Sequence, residues 1–104
     1  MPPKPKFTRE EIVASAVDLV SKRGIDYLTT RNLGEWMGSS ARPIFTVFKN
    51  MEEVYVEIIN YARALYKQYV QIGLEQELAF RGVGAAYIQF AIKEPGLFQL
   101  LFMS

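Results

Sequence analysis

Three features of the 104-residue chain predict an all-α fold. Apolar residues recur at helical spacing, first as Ile12, Val13, Ala16, Val17 and Val20. Two segments have the form of a capping box, Thr8 with Glu11 and Asn50 with Glu53, in which side chains take up amides that a helix start leaves unpaired. Breakers separate the periodic segments at Gly24, at Gly38 and at Pro95-Gly96.

In chain order, MPPKPK at residues 1 to 6 holds three prolines and two lysines, which predicts an extended arm without helix. A first helix runs from Thr8 to about Arg23, with Lys22 and Arg23 complementing its negative end and Gly24 supplying the exit. Thr29 and Thr30 precede the spacing Leu33, Trp36, Met37, which reads as a second, short helix that Gly38 ends. Ser39 and Ser40 are positioned to cap a third, in which Pro43 falls in the first turn and Ile44, Val47 and Phe48 face inward. Residues 29 to 48 therefore read as a helix-turn-helix, with Ala41, Arg42, Pro43, Phe45 and Thr46 on the outward face of its second helix.

Asn50 opens a long helix to about Ile72 with two apolar stripes. Val54, Ile58, Ala62, Leu65 and Tyr69 form one, and Tyr55, Ile59, Tyr66 and Val70 the other, so the helix is expected to connect two bodies. Gly73 and the LEQE stretch loosen the chain, and Arg81, Gly82 and Gly84 mark a turn before a helix from Val83 to about Lys93 carrying Tyr87, Phe90 and Ala91 inward. After Pro95-Gly96, LFQLLFMS is apolar enough that part of it should remain exposed unless more protein covers it. Two domains are expected, an arm with helix-turn-helix over 1–50 and a connector with a helical effector-binding body over 51–104.

Composition limits function. Cysteine and histidine are both absent, which removes thiolate zinc sites and the usual nucleophile–base pairs and leaves carboxylates, lysine and tyrosine as the only catalytic candidates. No enzyme, metal or cofactor is expected. The amino terminus lacks an apolar signal core and no apolar run approaches the roughly 18 to 20 residues of a membrane span, so a cytoplasmic chain without membrane association is expected. The formal charge of +1 is uneven. Residues 1–50 hold eight basic against five acidic residues, leaving +3, and the remainder carries −2. A basic front half suits a polyanion-binding module.

The order of these segments, with Lys22-Arg23-Gly24, then TTRNLGEWMGSSARPIFTVF, then KNMEEV, resembles the amino terminus of TetR-family transcriptional repressors over residues 8 to 58. Gly24, Thr29, Arg31, Leu33, Gly38, Ser40, Phe48 and the pair Glu52-Glu53 stand in register with that family, and YIQFAIKEPGLFQLLF looks like a segment of one subgroup's ligand-binding domain. The resemblance implies a repressor that binds palindromic double-stranded DNA as a homodimer in its full-length form and responds to a small apolar effector. Members are usually about twice as long, so the chain is expected to be a fragment that ends within the ligand-binding domain. It departs from the family pattern at Arg42 and Pro43, where a small residue and a hydroxyl are usual, at Phe45, where a phosphate-binding tyrosine is usual, and at Met51, where many members carry lysine.

On this reading Thr29, Thr30, Ser39 and Ser40 mark helix starts that meet backbone phosphate, or serve as plain caps. Arg42 is placed to reach guanine or phosphate, with Ala41, Pro43 and Thr46 beside it. Phe45 lies against a sugar or thymine methyl, or covers the small core. Lys4, Lys6 and Lys49 are phosphate candidates or solvated charges, and Arg31 is a DNA contact or an i,i+4 partner of Glu35. Tyr66, Tyr69, Tyr87, Phe90, Phe98 and Phe102 line an effector pocket or form plain core. The competing reading is a helical protein-interaction module that does not bind DNA.

Overall fold

The computed structural model describes residues 7–74 and 79–103, which contain six α-helices, one 3-10 turn and no strand. The helices are α1 (Arg9–Arg23), α2 (Thr30–Trp36), α3 (Arg42–Val47), α4 (Met51–Leu74), α5 (Ala79–Lys93) and α6 (Pro95–Phe102), with the 3-10 turn over Ile25–Tyr27. The fold is all-α, as the periodicity predicts. The proline-rich arm, including Lys4 and Lys6, and residues 75–77 of the LEQE stretch lie outside the described residues.

α1 begins with the expected box. Thr8 Oγ1 accepts from the Glu11 amide at 3.1 Å while Glu11 Oε1 accepts from the Thr8 amide at 3.0 Å, so two donors at the helix start are satisfied reciprocally. At the other end Gly24 donates to the Val20 carbonyl and leaves with φ +84°, a value that penalises residues with a Cβ. Ile12, Ala16, Leu19 and Val20 are fully buried and Val17 nearly so. Leu19, outside the expected stripe, is enclosed because α1 is packed against α2, α4 and α6.

Several expected boundaries are corrected. Asn50 Oδ1 accepts from the Glu53 amide at 3.0 Å, but the Glu53 carboxylate accepts from the Lys49 amide instead of Asn50, so only half a capping box forms. α4 continues through the buried Gly73 to Leu74, two residues beyond the expected end. α5 starts at Ala79, which places Arg81, Gly82 and Gly84 inside a helix. An internal glycine costs only about 1 kcal/mol relative to alanine, too little to stop a helix that tertiary packing favours. Among the described side chains of α5, Ala86 and Phe90 are buried and Ala91 is half-buried, whereas Tyr87 remains 41% exposed.

One buried cluster runs from Ile12 on α1 through Leu33, Ile44 and Phe48 to Val54, Ile58 and Ala62 on α4, Phe90 on α5, and Leu97 and Leu100 on α6. α4, 24 residues and about 36 Å long, therefore packs against α1 and also against α5 and α6, in keeping with its two stripes. Ile59 and Tyr66 of the second stripe are half-buried and Tyr55 is exposed. The molecule is elongated, 55 × 30 × 20 Å. A second connection bypasses α4. α6 lies directly on α1, where Ser21 Oγ donates to Glu94 Oε2, and a Cβ on Gly96 would stand 2.0 Å from the Val20 carbonyl oxygen.

That approach gives a test by opposite signs. Gly96→Ala should destabilise the chain by about 2–3 kcal/mol or more, because the obstruction is backbone that cannot rotate aside. Gly84→Ala meets nothing within 4 Å and should stabilise by about 0.5–1 kcal/mol through helix propensity. Urea unfolding followed by fluorescence of the single tryptophan, Trp36, reads both.

Candidate nucleic-acid interface

The helix-turn-helix is assembled from small residues and local hydrogen bonds. Thr29 has extended backbone and its Oγ1 accepts from the Asn32 amide at 3.0 Å, which caps α2; Thr30 is the first helical residue. Asn32 Nδ2 donates back to the Tyr27 carbonyl at 2.9 Å and holds the 3-10 turn against the helix start. At the far end Gly38 adopts φ +74°, and the Gly38 and Ser39 amides donate to the Glu35 and Gly34 carbonyls. Gly34 is buried against the turn, where a Cβ would fall 2.8 Å from the Ser40 carbonyl carbon and 2.9 Å from the Ala41 nitrogen. α3 can approach α2 this closely because position 34 has no side chain.

The start of α3 corrects the sequence reading. Its N-cap is Ala41, in helical conformation and without a side-chain cap. Ser39 is taken up by the turn, and Ser40 Oγ accepts only from the Arg42 amide, at 3.4 Å. The serines fall short because the chain enters helical geometry one residue after them. Pro43 does occupy the first turn.

Ile44 is fully buried and Phe48 is 2% exposed, and these two fix which side of α3 faces the core. Arg42, Phe45 and Thr46 are exposed on the other side, with Ala41 and Pro43 half-buried. Phe45 is 47% exposed and is not among the hydrophobic residues packed on the buried cluster. Thr46 Oγ1 donates to the Pro43 carbonyl at 2.7 Å.

The cations of the front half divide into two groups. Arg9 lies 4.4 Å over the Phe48 ring and 3.7 Å from Glu57, so it joins α1 to α4. Lys22 pairs with Asp18 at 2.9 Å. Arg23 stacks on Tyr27 and Trp36, at 5.1 and 6.0 Å from their centroids. Arg31 pairs with Glu35 at 3.3 Å, the intrahelical alternative considered for it. Among the described residues Arg42 and Lys49 are the front-half cations with no side-chain partner, and both are exposed.

A polar tie that sequence reasoning missed locks α2 onto α1. Trp36 Nε1 donates to Asp18 Oδ2 at 2.9 Å, and Tyr27 packs edge-on to the indole at 6.5 Å. Asp18 and Trp36 stand 18 residues apart and no local pattern marks them as partners. The hydrogen bonds from Lys22 and then Trp36 hold the Asp18 carboxyl below its ordinary value, against a smaller opposing effect of burial.

The six aromatic residues considered as effector contacts lie together but chiefly touch one another. Tyr66 meets Phe90 and Phe102 edge-on at 5.3 and 5.1 Å, Tyr69 meets Phe90 at 5.5 Å, and Tyr87 meets Phe98 and Phe102 at 5.1 and 5.2 Å. Open grooves border this cluster. One of about 580 Å³ is lined by Tyr69, Ile72, Gly73, Ala85, Ala86, Gln89 and Lys93, and one of about 370 Å³ by Arg63, Tyr66, Lys67, Val70, Leu101 and Phe102. No helix among the described residues is long and apolar enough to cross a membrane.

No protein-family model matches the chain, and no curated protein or solved structure matches it.

Because the folded-state value of Asp18 is depressed, its stabilisation is present at neutral pH and is lost as pH falls from about 4 through that depressed value. The side chain is 47% exposed, so solvent screening limits the effect. Asp18→Asn should cost no more than about 1 kcal/mol at pH 7, and the difference from wild type should be smaller at pH 3. Urea unfolding at the two pH values checks it; an equal difference at both would place the effect elsewhere.

Proposed function

We propose that the chain is a sequence-specific DNA-binding transcriptional regulator, a repressor of the TetR type that binds palindromic DNA as a homodimer in its full-length form. The observation that carries this reading is the division of the front-half cations. Arg9, Lys22, Arg23 and Arg31 each have a partner within the chain, in Glu57, Asp18, the Tyr27 and Trp36 rings, and Glu35, while Arg42 and Lys49 stand exposed and unpartnered on and just after the helix whose inner face Ile44 and Phe48 define. An unpaired arginine at the start of the second helix of a helix-turn-helix is where a base edge or phosphate is met in the major groove. Arg31 pairs with Glu35 on the exposed surface of α2, a weak contact that leaves its guanidinium open to solvent. Thr29, Thr30 and Ser40 then border the phosphate backbone, and Lys49 adds a contact that is indifferent to sequence.

The second half serves as the effector-responsive and dimerising body of this cytoplasmic regulator. A small apolar effector enters along the grooves beside Tyr66, Tyr69 and Phe102. Its signal reaches the helix-turn-helix by two routes, along α4 and across the Ser21–Glu94 contact between α1 and α6. DNA and effector then oppose each other's binding by the same factor. The exposed Ile88, Ile92 and Met103, at 57%, 68% and 68%, favour association with a second copy. The same surface also supports the competing reading of a protein-interaction module, in which the α3 face would be inert toward DNA.

Mobility shift on duplex DNA at increasing salt decides between them. Log affinity should fall linearly with log salt; Lys49→Ala should weaken all duplexes alike and reduce the slope by about 1, whereas Arg42→Ala should lower the preference for the best site by about 1–3 kcal/mol. Absence of any shift at low salt would favour the interaction module.

A further inference from the structure

The outward face of α3 has a chemical bias that goes beyond DNA binding as such. The six residues of α3, RPIFTV, include no asparagine, glutamine or carboxylate, the groups that pair with adenine N6/N7 or accept from cytosine N4. Pro43 has no amide hydrogen. The single hydroxyl hydrogen of Thr46 is used inside the helix, on the Pro43 carbonyl at 2.7 Å. Phe45, nearly half exposed, carries no polar atom. One free side-chain donor remains on α3, the Arg42 guanidinium, beside a surface made of an aromatic ring.

From this composition we infer that Phe45 reads a thymine 5-methyl group in the major groove, next to a guanine held by Arg42. In the major groove thymine is the only base that offers an apolar group, and a phenyl ring has nothing else there to recognise. Positions 42 and 45 are separated by about 4.5 Å along the helix axis, and base pairs rise about 3.4 Å each, so the guanine and the thymine lie one or two steps apart. The face contributes apolar contact where a tyrosine at the same position would contribute a hydroxyl to the sugar-phosphate chain. Specificity at the thymine position then depends on the methyl group rather than on hydrogen bonding. This rests on the DNA-binding reading above, and its failure is separable from the failure of that reading.

The test uses the whole chain. Its preferred half-site is selected from random duplexes, and each thymine in it is replaced in turn by deoxyuridine, which removes the 5-methyl group and leaves pairing unchanged. One replacement should weaken wild-type binding about three- to fivefold, the size expected for one methyl group lost from an apolar contact. Phe45→Ala should bind the thymine and deoxyuridine duplexes equally, while keeping its preference for guanine and the wild-type unfolding midpoint, because the side chain is exposed. Wild-type affinity that is the same for all substituted duplexes overturns the inference while leaving DNA binding intact. So does a methyl effect that persists in Phe45→Ala. If no duplex is bound, the inference fails together with the functional reading.

Discussion

The contact on which the arrangement most depends is the meeting of α6 with the last turn of α1. Gly96 sits so close to the Val20 and Ser21 backbone that no other residue fits without displacing one helix from the other. Dispersion between backbones at this range needs both surfaces to be smooth, and Leu97 and Leu100 on α6 then bury completely or nearly so in the same cluster as Val20. α1 is thereby held on three sides, by α2 through Asp18 and Trp36, by α4 through Arg9 and Glu57, and by α6. A helix of small and β-branched residues such as Ala16, Val17 and Val20 suits that position, since it lets three neighbours approach.

The outer surface follows from this inner economy of charge. Four cations of the front half have partners within the chain, Arg9 joining α1 to Phe48 and α4, Arg23 joining it to Tyr27 and Trp36, and Lys22 and Arg31 pairing along their own helices. What remains on the α3 side is a small set of groups, one guanidinium, one ammonium, a phenyl ring and a threonine whose hydroxyl hydrogen is already engaged. A face so composed has little capacity for hydrogen-bonded readout. On the proposed DNA-binding reading, its selectivity comes from one fork-shaped donor and from apolar contact, with longer-range charge supplying affinity.

Local features were legible in the sequence and long-range ones were not. The caps at Thr8 and Thr29, the glycines at 24 and 38, and the inward set Leu33, Ile44 and Phe48 follow from rules that act over three or four residues. No serine cap forms on α3 because the turn takes up Ser39, and α5 begins ahead of Gly82 and Gly84 because packing outweighs the modest cost of glycine in a helix. The Asp18–Trp36 tie and the seating of α6 on α1 join residues 18 and more than 70 positions apart, which periodicity cannot reveal. At the candidate interface the sequence identified the outward residues of α3. It left open whether Phe45 was core or surface, and whether Arg31 was free, because both depend on neighbours that only the folded chain supplies.

The central claim is that double-stranded DNA docks on the α2–α3 face. Cross-saturation from duplex protons to the amides of the deuterated chain reports proximity directly and is insensitive to rearrangement at a distance. The account predicts signal loss confined to residues 29–49 and strongest along α3, with the α5 amides around Ile88 and Ile92 unaffected. Loss centred on α5 and α6, or no loss anywhere at low salt, would contradict it.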